Sequence, residues 1–294
     1  MPWSRPMAAS RGVEDIIRKE LAVQFAEIER FGGGDGLVFY SPILRGVDNI
    51  VREALDSLDT RDPNGRLVLV LHTAGGVVEV VERIVDTIRQ RYKEVVVIVP
   101  DSAMSAGTIL AMAADQILMD DFGRLGPIDP QLERPDGRLV PALSYLVQLN
   151  RLIEKSANGA KLTPPELALI AKLDLAELHE FEQAKELSIE LLKQWLVAYK
   201  FKDWKVTRTR QLEVTLEMKQ ERAEEIALTL SDNVLWHSHG RGISRESLDA
   251  RVNLRIDKLE DNAELAKAVR SYHDCLIDNL ARTKMMLHVQ TRSF

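Results

Sequence analysis

The sequence is poor in cysteine and in long apolar runs, and both shortages limit what the protein can be. Its 294 residues include one cysteine, Cys275, so no disulfide can form within the chain, and a reducing compartment is expected. No apolar run approaches the roughly 20 residues that cross a bilayer. The first twelve residues also lack the apolar centre of a signal peptide. We therefore expect a cytoplasmic protein without membrane association.

The chain also lacks an excess of basic residues. Its 39 lysines and arginines are outnumbered by 45 acidic residues, and the net charge of −6 gives no support to nucleic-acid binding. A local basic run at Lys200–Arg210 is interpreted as a solvated helix or loop face. The hydrophobic fraction of 45% in a chain of this length is ample for one large core, so residues 1–294 are predicted to form a single domain.

Apolar strands alternate with helices in the first half of the sequence. Near-continuous apolar runs at Arg66–His72, Glu94–Val99 and Gln116–Asp120 are typical of buried parallel strands. Helical patterns between them predict repeated βαβ units and a parallel sheet covered by helices, an α/β fold. The predicted organisation is an N-terminal helix over 1–31, a catalytic core over 37–135, a helical region over 142–230, and a closing segment with a C-terminal helix over 231–294.

Two special loops follow two of these strands. The sequence HTAGG follows the strand ending at His72, and PDSAMSAG follows the strand ending at Val99. The carboxyl ends of parallel strands share one edge, so we expect the loops to lie side by side. Neither loop carries a GxGxxG or P-loop motif. Ser102 is the predicted helix cap, which leaves Ser105 in the first helical turn as a candidate nucleophile.

Together these motifs resemble a known family. HTAGG, PDSAMSAGTILAMAADQILM and GPIDPQ, within Leu67–Leu132, are similar to the ClpP/crotonase superfamily and most similar to the SppA-like peptidases named serine dehydrogenase proteinases. A weaker similarity extends through His237–Ile243. The resemblance implies a ClpP/crotonase-like spiral of ββα/βαβ units with a long helical C-terminal part. It also implies an ATP-independent serine endopeptidase that acts on peptide or protein substrates and forms a homo-oligomer. The name of the group suggests pyridoxal chemistry, but nothing in the sequence argues for that cofactor, so no cofactor is expected.

The resemblance also implies roles for single residues. Ser105 would be the nucleophile, and the amides of Ala106 and Gly76 would form the oxyanion hole. The ClpP-type histidine, about 25 residues after the serine, is missing, because no histidine lies between His72 and His179. Asp129 stands near the vacant position and is interpreted as a turn residue.

SppA-like enzymes use a lysine 40 to 50 residues after the serine, which makes Lys155 the first choice for the general base. The alternatives are Lys161, Lys172, Lys185 and His239. A lysine base must be desolvated, since a free lysine has a pKa of about 10.4. His237 and His239 favour a structural role, with a base or a metal site as alternatives. A metal site lacks an obvious third ligand.

Two other functions would use the same fold. A crotonase-like acyl-CoA enzyme would use the paired amides for a thioester enolate and would need a carboxylate base. A non-catalytic scaffold would keep the fold and assemble into oligomers without using Ser105. The substrate specificity is not encoded in any motif that we recognise.

Overall fold

The structure is a computed structural model that describes residues 7–58, 61–129, 131–133, 139–171, 174–207 and 210–294. The strands are β1 (Asp35–Tyr40), β2 (Arg66–His72), β3 (Glu94–Val99), β4 (Ser102–Ala103), β5 (Gln116–Met119), β6 (Arg124–Leu125), β7 (Gln131–Glu133), β8 (Leu139–Pro141), β9 (Asp257–Lys258) and β10 (His288–Gln290). The helices are α1 (Met7–Gly32), α2 (Val47–Asp56), α3 (Val78–Arg89), α4 (Ala106–Met112), α5 (Ala142–Ala157), α6 (Pro164–Ile170), α7 (Leu175–Trp195), α8 (Leu216–Ser231), α9 (Asn233–Trp236), α10 (Arg245–Ser247) and α11 (Ala263–Thr283).

A six-stranded sheet forms the centre of the protein, in the order β10–β1–β2–β3–β5–β9. Within this sheet β1, β2, β3, β5 and β9 run parallel, and β10 pairs antiparallel with β1. The predicted parallel sheet is confirmed, and β2 and β3 are neighbours with Leu69 opposite Val97. The carboxyl ends of β2 and β3 therefore lie next to each other.

Alternate residues of the strands face two helical layers. Leu69 and Val97 belong to a core that includes residues of α2, α3 and α4, whereas Val70 and Val96 belong to a second core with α1 and α11. Both faces are buried, which explains why these strands are continuously apolar in sequence. None of the described helices is both long and apolar enough to cross a membrane.

The predicted helical region contains α5 to α8, and α7 and α8 pack together over α4. The basic run Lys200–Arg210 is solvated at Lys202, Lys205 and Arg210, as expected, but it also contacts the sheet. Lys200 is half-buried, and burial lowers its pKa. Lys202 binds the carboxylate of Asp115 at the amino end of β5. The run therefore fastens the link between α7 and α8 to the sheet, which charge composition alone does not reveal.

The closing segment contains more than the predicted C-terminal helix. After α11 the chain forms β10, which adds an edge strand to β1. Its only buried residue is Val289, so the strand has too little apolar pattern to be recognised in sequence. Arg292 fixes the end of this strand, because its guanidinium lies 2.7 Å from Oδ1 of the buried Asp35.

Candidate active site

The two loops at the carboxyl edge of β2 and β3 are bonded directly to each other. The Thr73 amide donates to the Ser102 carbonyl at 2.9 Å, and the Met104 amide donates to the Thr73 carbonyl at 2.9 Å. The expectation that the loops lie side by side is confirmed. These bonds hold the glycine pair beside the segment that carries Ser105.

Ser105 stands between β4 and α4 in a conformation that is rare for serine. Its φ is 51° and its ψ is −118°, and it is the N-cap residue of α4 without a side-chain capping bond. Residues other than glycine adopt a positive φ uncommonly, and such strain is concentrated at functional sites. A strained turn from strand to helix is the geometry that exposes a nucleophilic serine hydroxyl. Ser105 is partly exposed, as a nucleophile must be.

Ser102 does not cap the helix, so that prediction is wrong. Ser102 lies in β4, which pairs with β6, and its hydroxyl donates to Asp101 Oδ2 at 3.0 Å. The same hydroxyl lies 3.4 Å from Nδ1 of His72. β4 has only two residues, which is too few for the strand to be recognised from sequence. Because Ser102 lies in this strand, the N-cap position of α4 falls on Ser105.

Both glycines of the HTAGG loop are required by close contacts. Gly75 has φ 98°, and a Cβ on it would lie 2.8 Å from the Cβ of Ser105 and 2.7 Å from the Met104 carbonyl oxygen. Gly76 has φ 148°, and a Cβ on it would lie 2.1 Å from the Ile43 carbonyl oxygen. Glycine is therefore needed for both conformation and space, and it lets the loop approach Ser105.

Two backbone amides near Ser105 have no hydrogen-bond partner within the described part of the chain. The Gly75 amide is occupied, because it donates to Thr73 Oγ1 at 3.0 Å. The amides of Gly76 and Ala106 make no such bond. Ala106 is the first residue of α4, where the amides of a helix lack partners within the helix. These are the two amides that the resemblance implies as an oxyanion hole.

Thr108 fixes the segment that passes beneath Ser105. Its side chain is fully buried, and its hydroxyl oxygen lies 2.8 Å from the Ala103 carbonyl and 2.9 Å from the Gly126 carbonyl. The same hydroxyl accepts the Gly126 amide at 2.8 Å. A Cβ on Gly126 would lie 3.0 Å from the Ser105 amide nitrogen. The GPIDPQ segment therefore begins in contact with the candidate nucleophile.

The lysines suggested as the base are in different surroundings. Lys155 binds both oxygens of Glu166 at 2.7 and 2.8 Å, and this bond lowers the pKa of Glu166 to about 2. Lys161 is exposed, Lys185 is partly buried, and Lys172 lies outside the described residues. No hydrogen bond or ion pair described in the structure joins Lys155, Lys161 or Lys185 to Ser105.

Desolvation of a lysine occurs at the other edge of the sheet. Burial lowers the pKa of Lys200, but this residue faces Asp257 and Asp115. Asp115 precedes β5, at the amino edge, whereas Ser105 follows β3, at the carboxyl edge. Lys200 is therefore separated by the length of the strands from the candidate nucleophile.

Asp129 and His239 form a pair that the sequence did not indicate. Asp129 is 1% exposed, and its Oδ1 lies 2.9 Å from Nδ1 of His239, whose side chain is 12% exposed. Asp129 is thus more than a turn residue, and the structural role favoured for His239 includes a contact with the GPIDPQ segment. No group of three or more histidine, cysteine, aspartate and glutamate side chains that could hold a metal is found among the described residues.

Comparison with known proteins identifies the family. Residues 51–235 match the family described as ClpP-like SDH-type serine proteinase, and the match covers more than half of the sequence. The chain belongs to this family, which confirms the resemblance seen in the motifs, and its fold is the ClpP-like α/β fold.

Two curated relatives come from Methanocaldococcus jannaschii. The uncharacterized protein MJ0137 is 37% identical over 132 residues, which cover 41% of this chain and 43% of the relative. The uncharacterized protein MJ1495 is 29% identical over 191 residues, which cover 65% of this chain and 53% of the relative. The chain spans about half the length of the curated relatives it matches.

Two solved structures are also similar to this protein. One is a serine-to-alanine mutant of the membrane-bound stomatin-specific protease 1510-N, with 17% identity, a TM-score of 0.34, and coverage of 62% of this chain and 72% of that one. The other is an asparagine-to-aspartate mutant of ClpP1 from Listeria monocytogenes, with 19% identity and a TM-score of 0.30. This match covers 50% of the present chain and 86% of the ClpP1 chain. Similarities of this size add nothing to the site described above.

Proposed function

We propose that the protein is a serine peptidase in which Ser105 is the nucleophile and the amides of Gly76 and Ala106 form the oxyanion hole. The observation that carries the proposal is the strained backbone of Ser105, with φ 51°, at the junction of β4 and α4. Membership of a serine proteinase family supports the reaction class. The unpartnered amides on both sides of Ser105 support the site.

The reaction proceeds through an acyl-enzyme. Ser105 Oγ loses its proton to a base and forms a bond to the carbonyl carbon of a peptide, and the two amides stabilise the resulting oxyanion. The bond between carbon and nitrogen then breaks, and the amine leaves with a proton. Water next attacks the ester, the acid product departs, and Ser105 recovers its proton.

The finer features are part of the same proposal. We expect an ATP-independent, SppA-like endopeptidase that works as a homo-oligomer, with the charged helices after residue 142 supplying subunit contacts. Light scattering would contradict the oligomer by giving the mass of a monomer, 33.2 kDa. Lys155, the base implied by the resemblance, is bound to Glu166, and no described contact joins it to Ser105, so this proposal leaves the base unassigned.

A fluorophosphonate probe tests the nucleophile. The protein is incubated with the probe and digested, and the adduct is located by mass spectrometry, while hydrolysis of fluorescein-labelled casein is measured in parallel. Ser105→Ala is expected to lose the label and to reduce hydrolysis at least about 1000-fold.

The matched control is Ser102→Ala, a serine three residues away that already has partners in Asp101 and His72. It is expected to label and hydrolyse like the unmodified protein. An adduct on another residue, or casein hydrolysis that survives in Ser105→Ala, would show that Ser105 is not the nucleophile.

A further inference from the structure

We propose that His239 is the general base for Ser105 and that Asp129 is the residue that positions it. This assignment rests on the proposed serine peptidase function and replaces the lysine base expected from the resemblance. It makes the catalytic order along the sequence Ser105, Asp129, His239. The proposal is carried by the buried contact between the two side chains and by their attachment to the segments that flank Ser105.

The pair has the arrangement that activates an imidazole. The Asp129 carboxylate accepts a hydrogen bond from His239 Nδ1 at 2.9 Å, so the ring proton is held at Nδ1 and the lone pair is left at Nε2. His239 Nε2 makes no hydrogen bond within the described part of the structure, Ser105 Oγ included, and catalytic hydrogen bonds of this kind often tighten only when substrate binds. A buried carboxylate that fixes the tautomer and stabilises the later imidazolium is the role of the third residue of a catalytic triad.

Asp129 is joined by a short connection to a residue that contacts Ser105. Gly126 packs against the Ser105 amide and is clamped by Thr108, and Asp129 follows only three residues later. Three residues of extended chain span at most about 11 Å. Ile128 lies between them, and its backbone amide donates a hydrogen bond to the Leu230 carbonyl at 3.0 Å. This bond keeps the connection in one position.

The closing segment that carries His239 is bonded to the chain next to Gly126. Ile243, four residues later, exchanges two backbone hydrogen bonds with Leu125, the neighbour of Gly126, at 2.7 and 3.1 Å. His237, two residues before His239, has φ 62°, an uncommon backbone conformation for histidine. The loop is thus anchored beside the Ser105 segment and shaped to turn His239 onto Asp129.

One oxygen of Asp129 is left without a partner. Asp129 Oδ2 is buried and receives no hydrogen bond within the described residues, whereas Oδ1 binds His239. Oδ1 therefore carries the contact with the imidazole, and Oδ2 keeps its capacity to accept a further hydrogen bond.

The proton transfers balance over one cycle. His239 Nε2 accepts the proton of Ser105 Oγ as the oxygen bonds to the substrate carbon. The imidazolium, held by Asp129, then gives that proton to the leaving amine nitrogen as the bond between carbon and nitrogen breaks. In the second half His239 takes a proton from the attacking water and returns it to Ser105.

The test measures the rate at which the fluorophosphonate probe labels Ser105 in the full chain. His239→Ala and Asp129→Asn are each expected to lower this rate at least about 100-fold. On a peptide substrate, Asp129→Asn is expected to lower kcat while KM stays unchanged, because the pair acts on proton transfer and not on binding. Added imidazole is expected to speed labelling of His239→Ala but not of Ser105→Ala.

Two further variants act as controls. His237→Asn changes an exposed histidine in the same loop, and asparagine tolerates its left-handed backbone, so labelling should match the unmodified protein. Lys155→Met removes the competing base and should also label normally. If one member of the pair fails to fold in a thermal melt, the folded variant of the other member decides, and a loss of about 100-fold in Lys155→Met overturns the proposal.

The outcome separates this proposal from the function on which it rests. Normal labelling of Ser105 in folded His239→Ala or Asp129→Asn would overturn the base assignment and leave the serine peptidase intact. No label on Ser105 in the unmodified protein would instead contradict the peptidase itself. Slow labelling in both variants, with normal labelling in Lys155→Met, supports the pair.

Discussion

Gly75 packs directly against Ser105, so closely that a Cβ on Gly75 would lie 2.8 Å from the Ser105 Cβ. Gly75, which contacts the proposed nucleophile, is therefore the neighbour in sequence of Gly76, whose amide would stabilise the oxyanion. The two loops fit together as one unit, and a change in either loop moves the other.

The first prediction concerns Gly75→Ala. The new methyl group meets the Met104 carbonyl oxygen at 2.7 Å, and the left-handed φ of 98° adds strain, so Ser105 must shift. We expect probe labelling and casein hydrolysis to fall at least about 100-fold, since a shift of 1 Å in a reacting group has that effect.

Gly46→Ala is the matched control for this variant. Gly46 has nearly the same φ, 96°, but a Cβ on it has nothing within 4 Å. Its backbone strain should lower stability by a similar amount while activity is kept. Equal loss of activity in the two variants would show that general destabilisation, and not contact with Ser105, is responsible.

A second prediction separates the stability of Ser105 from its chemistry. A positive φ costs a residue other than glycine about 1–3 kcal/mol, and Ser105→Gly removes this strain. Part of the stability gained is lost again, because glycine has more conformational freedom in the unfolded chain. We expect it to be about 1 kcal/mol more stable than Ser105→Ala, measured by urea unfolding. Both variants should be inactive, and equal stability would argue against strain at this position.

A third prediction concerns the hydroxyl of Thr108. Thr108→Val keeps the shape of the side chain but leaves the buried Gly126 amide without its acceptor, which costs about 1–3 kcal/mol. Thr108→Ser keeps the hydroxyl and loses one methyl group, worth about 0.8 kcal/mol. The valine variant should therefore unfold at lower urea concentration and also lose activity, while serine should remain active. The reverse order would exclude the clamp.

A fourth prediction concerns pH and the histidines at the carboxyl edge of β2. Burial lowers the pKa values of His72 and His273, and Asp101 opposes this effect at both rings. Tyr40 contacts both rings, and its hydroxyl lies 2.9 Å from His273 Nδ1. The unfolded chain then binds protons more readily than the folded one below pH about 6.5.

The free energy of unfolding should therefore fall as the pH drops from about 6.5 towards 5, and the fall should be smaller in His273→Gln. The measurement is urea unfolding at several pH values. The matched control is His179→Gln, which replaces an exposed ring. A pH dependence that is unchanged in His273→Gln would show that other groups are responsible.

The sheet could be predicted because its strands are buried on both faces and separated by amphipathic helices. β2 and β3 have the bounds that the sequence predicts, Arg66–His72 and Glu94–Val99. The glycine pair and Ser105 were also predicted as neighbours, because the ends of adjacent parallel strands must meet. These features follow from local pattern and from general rules of topology.

The remaining features depend on contacts between distant parts of the chain. Asp129 and His239 are 110 residues apart, and neither has a local pattern that points to the other. The identity of the helix cap depended on β4, whose two residues pair with β6 and with the segment at Thr73. The resemblance therefore implied a lysine as the base, whereas the histidine that we propose instead comes from the closing segment, far away in sequence.

The covering of one face of the sheet by α1 and α11 has a consequence for synthesis of the protein. The two helices are almost the first and last elements of the described chain, yet both pack over Val70 and Val96. This half of the core cannot close on the ribosome until residues 263–283 have emerged, although the other half can form earlier. The nascent chain must therefore carry an apolar sheet face through most of its translation, and chaperone binding should be strongest in that interval.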